Sequence, residues 1–270
     1  MTPPVSPIDP GVVPDGPVPS RAEGKRLLDL LKVMHRLRSP GGCPWDLEQT
    51  HESLGRHLLE EAHETLEAID SGDRDRLRDE LGDVLLQVVF HAEMAMQEGT
   101  FDIDDVAEGV AAKLVRRHPH VFGDLEVDSS AEVLVNWERI KSDEKGEHGI
   151  DEDIPATLPA LARAAKVQRR AAGYGFDWRT LEGALGKVRE ELRELGDATP
   201  GRAEEEMGDL LFAIAAVGRR LNVDPETALR RATKRFADRF ERMKARADAE
   251  GIELDGLPED ELLARFRAAR

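Results

Sequence analysis

Cysteine is nearly absent from this chain. Cys43 stands alone among 270 residues, which excludes an intramolecular disulfide and fits a reducing cytoplasm. Aromatic side chains are scarce too, at 4%, and no apolar run approaches the roughly 20 residues that a membrane-spanning helix needs. A positive balance is also missing. The net charge of −17 disfavours nonspecific attachment to nucleic-acid polymers or anionic membranes. What remains is rich in Ala, Leu, Glu and Arg, with 34% charged residues, and these residue types favour helix over strand. An all-α protein of one or two domains is expected.

The acids are not scattered. Glu60-Glu61-x-x-Glu64 precedes Glu80-x-x-Asp83, and Glu190-Glu191-x-x-Glu194 precedes Glu206-x-x-Asp209. Acids three or four positions apart share one helix face, so two such helices side by side bring four or five carboxylates together. Like charges at that density repel unless a cation lies among them, and an all-oxygen donor set suits Mg²⁺ or Mn²⁺. Each acid pair also opens an apolar run, Val84 to Phe90 and Leu210 to Val217, which places ionised groups at the start of a buried helix. Such charges are costly unless paired or metal-bound. A glycine interrupts both pairs, Gly82 and Gly208. Because glycine weakens a helix by about 1 kcal/mol relative to alanine, its recurrence predicts close approach of a neighbouring helix or a ligand. A single Glu-x-x-Glu is usually a solvated helix face, but the duplication with glycine and apolar helix argues for a site. A di-iron bundle needs Glu-x-x-His twice. Glu60-x-x-His63 fits once, and Glu191-x-x-Glu194 does not.

Residues 1–20 hold seven prolines with no basic or apolar leader region and read as a disordered tail. A first domain is expected over 21–140, with helices near 21–38, 54–69, 73–98 and 103–117. A polar, proline-bearing linker over 141–159 follows, then a second domain over 160–270. Its helices are expected near 160–172, 181–195, 202–221 and 225–250, the last capped by Asp224 with Pro225 at its first position. The turn between the acid helices is shorter in the second copy, since Glu194 to Glu206 spans 12 residues and Glu64 to Glu80 spans 16.

A basic pair follows each acid set, Lys113 with Arg117 and Arg235 with Arg239, each one helical turn apart. Alone, such a pair is a salt-bridged surface. After both acid sets it suits a polyphosphate, whose oxygens Arg and Lys bind while Mg²⁺ bridges them. Cys43 reads as a loop or packing residue, because no His/Asp constellation surrounds it.

Cys43-Pro44-Trp45-Asp46-x-x-Gln49-Thr50-His51-x-Ser53-Leu54, the two acid signatures, Arg117-His118-Pro119-His120-Val121-Phe122 and Asn136-Trp137-Glu138-x-x-Lys141 together resemble the MazG family of nucleoside triphosphate pyrophosphohydrolases. The resemblance runs from about residue 21 to 268. It implies two tandem MazG-type helical-bundle domains completed by homodimerisation. It also implies Mg²⁺-dependent hydrolysis of nucleoside triphosphates, with attack at the α-phosphorus. Carried over by motif, the catalytic and metal-binding acids are Glu191, Glu194, Glu206 and Asp209, with Glu61, Glu64, Glu80 and Asp83 as metal ligands in the first copy. Nucleotide contacts fall on Lys187, Val188, Arg189, Glu190 and Glu191, on Arg202, Ala203, Glu204 and Glu205, and on Asp209, Arg235, Arg239 and Phe266, with Lys113 and Arg117 as weaker partners. The second copy is expected to carry most of the activity. Three positions depart from the family pattern: Thr233 where Asn is common, Arg235 for Lys, and Phe266 for Trp. Arg keeps the charge but changes geometry, and Phe keeps a stacking face without a donor, so base preference is what these changes affect. The residues alone leave two other readings open, a phosphoribosyl-ATP pyrophosphohydrolase-like enzyme and a catalytically silent helical interaction module. Ordinary, deoxy and noncanonical nucleotides all suit the same phosphate machinery.

Overall fold

The computed structural model describes residues 24–129, 132, 133, 136, 137, 140, 149–152 and 154–270. The expected tail 1–20, the helix start at Arg21, Glu138 and Lys141 of the tryptophan motif, and residues 141–148 of the expected linker lie outside them. Every regular element among the described residues is helical. The chain divides into two compact units, Met1–Gly146 and Glu147–Arg270.

In the first unit the helices are α1 (Lys25–Leu37), α2 (Pro44–Glu48), α3 (His51–Ser71), α4 (Arg74–Glu98), α5 (Ile103–Arg117) and α6 (Pro119–Phe122). α3 starts where the Thr50 hydroxyl accepts from the Ser53 amide while the Ser53 hydroxyl accepts from the Thr50 amide, a reciprocal cap. It stops at Gly72, whose φ of 74° is the left-handed value that ends helices without a Cβ penalty. Asp73 then caps α4 by accepting from the Asp75 and Arg76 amides. This two-residue turn folds α3 and α4 into an antiparallel hairpin, with α1 and α5 packed on α4. Met34, Leu54, Val89, Phe90 and Met94 form the core, flanked by Leu30, Leu31, Leu86 and Ile103. The short helices α2 and α6 are additions to the expected set. Each begins with proline at its first position, and neither is long enough to show an apolar period. Between α1 and α2 the chain folds back so tightly that a Cβ on Gly42 would meet the Leu37 carbonyl at 2.0 Å.

The second unit contains α7 (Ala160–Gly173), α8 (Leu181–Asp197), α9 (Ala203–Arg220), α10 (Pro225–Glu250) and α11 (Glu259–Ala268). α8 and α9 repeat the hairpin, with α7 against α9 and α10. Thr180 caps α8 by accepting from the Gly183 amide, and Asp224 caps α10 at the Thr227 amide with Pro225 first. The bounds follow the sequence expectations within a few residues, whereas α11 is again an addition.

Candidate active site

The first hairpin brings Glu61 and Glu64 of α3 to Glu80 of α4, with ligand oxygens within 4.8 Å of one another. Asp83 falls outside that set, although its charge reaches the site. Partial burial first, then the charges of Asp83, Glu64, Glu80 and Glu60, push the Glu61 carboxyl above its ordinary range. Arg76 pairs with Glu80 and Glu67, each at 3.1 Å, and His57 Nδ1 lies 3.0 Å from Glu60. The exposed Trp45 ring stands edge-on to His57 at 6.4 Å.

The second hairpin holds its acids deeper. Glu191, Glu206 and Asp209 form one group within 4.8 Å, and Glu190, Glu191 and Glu194 form another, so Glu191 belongs to both. Glu191 and Glu206 are each only 3% exposed. Two local features make that burial tolerable. Glu204, Glu205 and Glu206 lie in the first turn of α9, where the helix dipole favours negative charge. A cation one turn upstream also covers each buried acid. Lys187 lies 2.5 Å from Glu191 and 2.7 Å from Glu190, and Arg202 lies 2.5 Å from Glu206. Lys187 holds its proton more tightly because of Glu190 first and Glu191 next, and it lowers the Glu190 carboxyl in return. Glu191 Oε2 nevertheless stays buried with no hydrogen-bond partner. A buried bare acceptor of this kind is costly, and a hard cation among these oxygens would satisfy it. Arg189 is drawn to Glu182 at 2.7 Å.

Of the two neighbours expected at the glycines, a helix or a ligand, the helix is not found among the described residues. A Cβ built on Gly82 or Gly208 meets no heavy atom of the described residues within 4 Å, so no described helix approaches there. The basic pairs also divide. Arg235 is exposed, whereas Arg239 lies over the Phe266 ring at 4.2 Å and donates to the Phe266 carbonyl at 2.5 Å. Phe266 also packs against Phe236, with ring centres 5.0 Å apart. Arg242 and Arg246 donate to the Ala269 and Ala268 carbonyls, so α10 caps the carbonyl end of α11 with three guanidinium groups. In the first unit Lys113 is exposed, and Arg117 lies over the Trp137 ring at 5.6 Å. Glu190, expected as a nucleotide contact, also joins Glu191 and Glu194 in one acid group along α8.

Fold and site define an all-helical protein with a carboxylate cluster on each of two helix hairpins. Residues 49–122 match the family model described as the MazG nucleotide pyrophosphohydrolase domain. The chain is 48% identical over 237 residues to the nucleoside triphosphate pyrophosphohydrolase/pyrophosphatase MazG of Thermotoga maritima, covering 87% of this chain and 91% of that protein. It is 47% identical over 238 residues to the nucleoside triphosphate pyrophosphohydrolase of Escherichia coli K12, covering 84% and 90%. The protein of that name from Mycobacterium tuberculosis is 45% identical over 160 residues, covering 58% and 48%. The chain belongs to the MazG family.

Proposed function

We propose that this protein hydrolyses nucleoside triphosphates to the monophosphate and pyrophosphate, with Mg²⁺ held by the carboxylates of its hairpins. The observation that carries this reading is the second cluster, where Glu191 is buried and keeps one oxygen unpartnered beside Glu206 and Asp209. Glu191, Glu194, Glu206 and Asp209 would hold the metal, and Mn²⁺ suits the same oxygens. When bound, the metal neutralises triphosphate charge and polarises the phosphorus under attack. The remaining tasks fall to this chain's own residues. Lys187 and Arg202 sit at the rim of the cluster, where their donors can turn from carboxylate to phosphate oxygens. A carboxylate of the cluster accepts the proton of the attacking water. Arg235, exposed on α10, is a further cation for the phosphates, while Phe266 and Arg239 form one packed unit at the end of α11.

The repeated hairpin supports a tandem arrangement of two MazG-type domains. Exposed apolar side chains support a homodimer, among them Leu58, Leu59, Leu66, Leu85 and Val88 on the first hairpin and Leu192, Leu211, Phe212 and Ile214 on the second. Apolar surface on this scale is commonly covered by a partner. No helix among the described residues is long and apolar enough to cross a membrane, and the lone cysteine supports a cytoplasmic setting. Chromatography of the products from ATP and dATP with Mg²⁺ tests the reaction. Monophosphate with pyrophosphate is the expected pair, and diphosphate with orthophosphate as the main products would overturn the reading.

A further inference from the structure

We propose that His51 and His91 form a one-proton clamp that ties the start of α3 to α4 and lets go on acidification. The two Nδ1 atoms are 2.7 Å apart. Their ring centres are 5.0 Å apart and the ring planes differ by 7°. That centre separation matches the Nδ1 distance plus the two ring radii, so the imidazoles lie end to end in nearly one plane, each nitrogen aimed at the other. A metal between two imidazoles needs about 2.0–2.1 Å on each side, which this gap cannot supply. The gap fits a single hydrogen, donated by one ring and accepted by the other.

The surroundings assign the donor. His51 Nε2 faces Glu98 Oε2 at 3.9 Å, whereas His91 Nε2 is buried without a partner. An orphaned buried N–H is rarer and costlier than an under-satisfied acceptor. His91 therefore donates from Nδ1, and His51 keeps its hydrogen on Nε2 towards Glu98. A second proton has no good place. On His51 Nδ1 it would set two N–H groups head to head. On His91 Nε2 it would bury a cation with no acceptor, and His51 opens α3, whose first turn is already positive. Burial first, and His51 next, lower the proton affinity of His91.

Charged groups on the elements around the pair are otherwise engaged. On α1, His35 bonds Glu93 at 2.9 Å and Arg38 donates to Gln97. On α5, Asp102 and Asp105 close a capping box, and on α3 Arg56 turns to His57. Among the described residues Glu98 is the acid within ion-pair distance of the two rings, and Glu52, beside His51 in the first turn of α3 and held mainly by backbone and Thr50 hydrogen bonds, also feels the His51 charge. The device belongs to the first unit alone. His51 lies ten positions before Glu61 and His91 eight positions after Asp83, and the same offsets from Glu191 and Asp209 reach Leu181 and Val217. Because folded His91 resists a proton that the unfolded chain accepts near the ordinary histidine value of about 6.5, the clamp holds above that pH and weakens below it. Its release loosens the helix that carries Glu61 and Glu64.

Amide hydrogen exchange on the full chain, corrected for intrinsic rates, tests this between about pH 7.5 and about pH 5.5. Protection over residues 54–58 is expected to fall on acidification, while residues 184–188 of α8 change little. In His91→Gln, which keeps polar groups but removes the buried ring that resists the proton, the fall over 54–58 should vanish. His51→Gln, which removes the partner ring, should diminish it and provides the comparison should the first variant fold poorly. Equal protection at both pH values in the natural protein, or an undiminished fall in the glutamine variants, would overturn the clamp.

Discussion

Lys187 and Arg202 each stand four positions ahead of the acid they cover, and Arg76 stands four ahead of Glu80 in the first hairpin. A helix places such a pair side by side, so each acid arrives at its site with a cation already beside it. Glu191 and Asp209 contribute oxygens to the cluster itself. Replacing either by its amide should lower kcat at least about a hundredfold, as the loss of one charged contact to a reacting phosphate does, while circular dichroism shows an unchanged helical fold. Full turnover by either variant would remove the metal assignment. Glu61 offers a different test. Its folded-state carboxyl holds its proton more tightly than the unfolded chain does, so the associated stability is present below the ordinary range and is lost as pH rises through the folded value. Glu61→Gln should therefore raise metal-free thermal stability at neutral pH and flatten its decline above about pH 4.5. A lower melting temperature at neutral pH would contradict the crowding of carboxylates.

The hairpin is the working element, and its caps fix where the acids fall. A start of α3 displaced by one residue would swing Glu61 and Glu64 about a quarter-turn around the helix, away from Glu80. Thr50 with Ser53 sets that start in the first unit, and Thr180 sets it in the second. Thr50→Ala should cost about 1 kcal/mol of stability, measured by urea unfolding, and Thr50→Ser should recover most of it. An alanine variant as stable as the natural protein would show that tertiary packing alone holds the register.

The whole molecule carries the acid hairpin twice, and the copies differ in depth. The second buries Glu191 and Glu206 and gathers two overlapping acid groups, whereas the first gathers one, without Asp83. Burial strengthens the pull of a carboxylate on a cation by lowering the local dielectric constant. Turnover is therefore expected mainly from the second unit: Glu191→Ala should remove most of kcat with ATP, and Glu61→Ala should leave most of it. Equal damage from the two substitutions would make both units catalytic.

The sequence by itself determined the helices and the acid faces. Periodicity and end signals such as Asp224-Pro225 are local, and acids at three- and four-residue spacing share a face wherever the helix lies. Both hairpins and their clusters were legible for that reason. Short helices escaped, because α2 and α6 span too few residues to show a period and α11 is barely longer. Only the tertiary structure decided which acids meet. The antiparallel crossing puts Glu80 near Glu61 but leaves Asp83 outside the closest group, and in the second unit it brings Glu206 and Asp209 to Glu191. Tertiary packing also decided that Arg239 turns to Phe266 while Arg235 faces solvent, although the two share one spacing rule. It alone brought His51 to His91 across forty positions of chain, since no local period links a helix start to the middle of the next helix. Spacing reports which side chains share a face, and packing decides what that face meets.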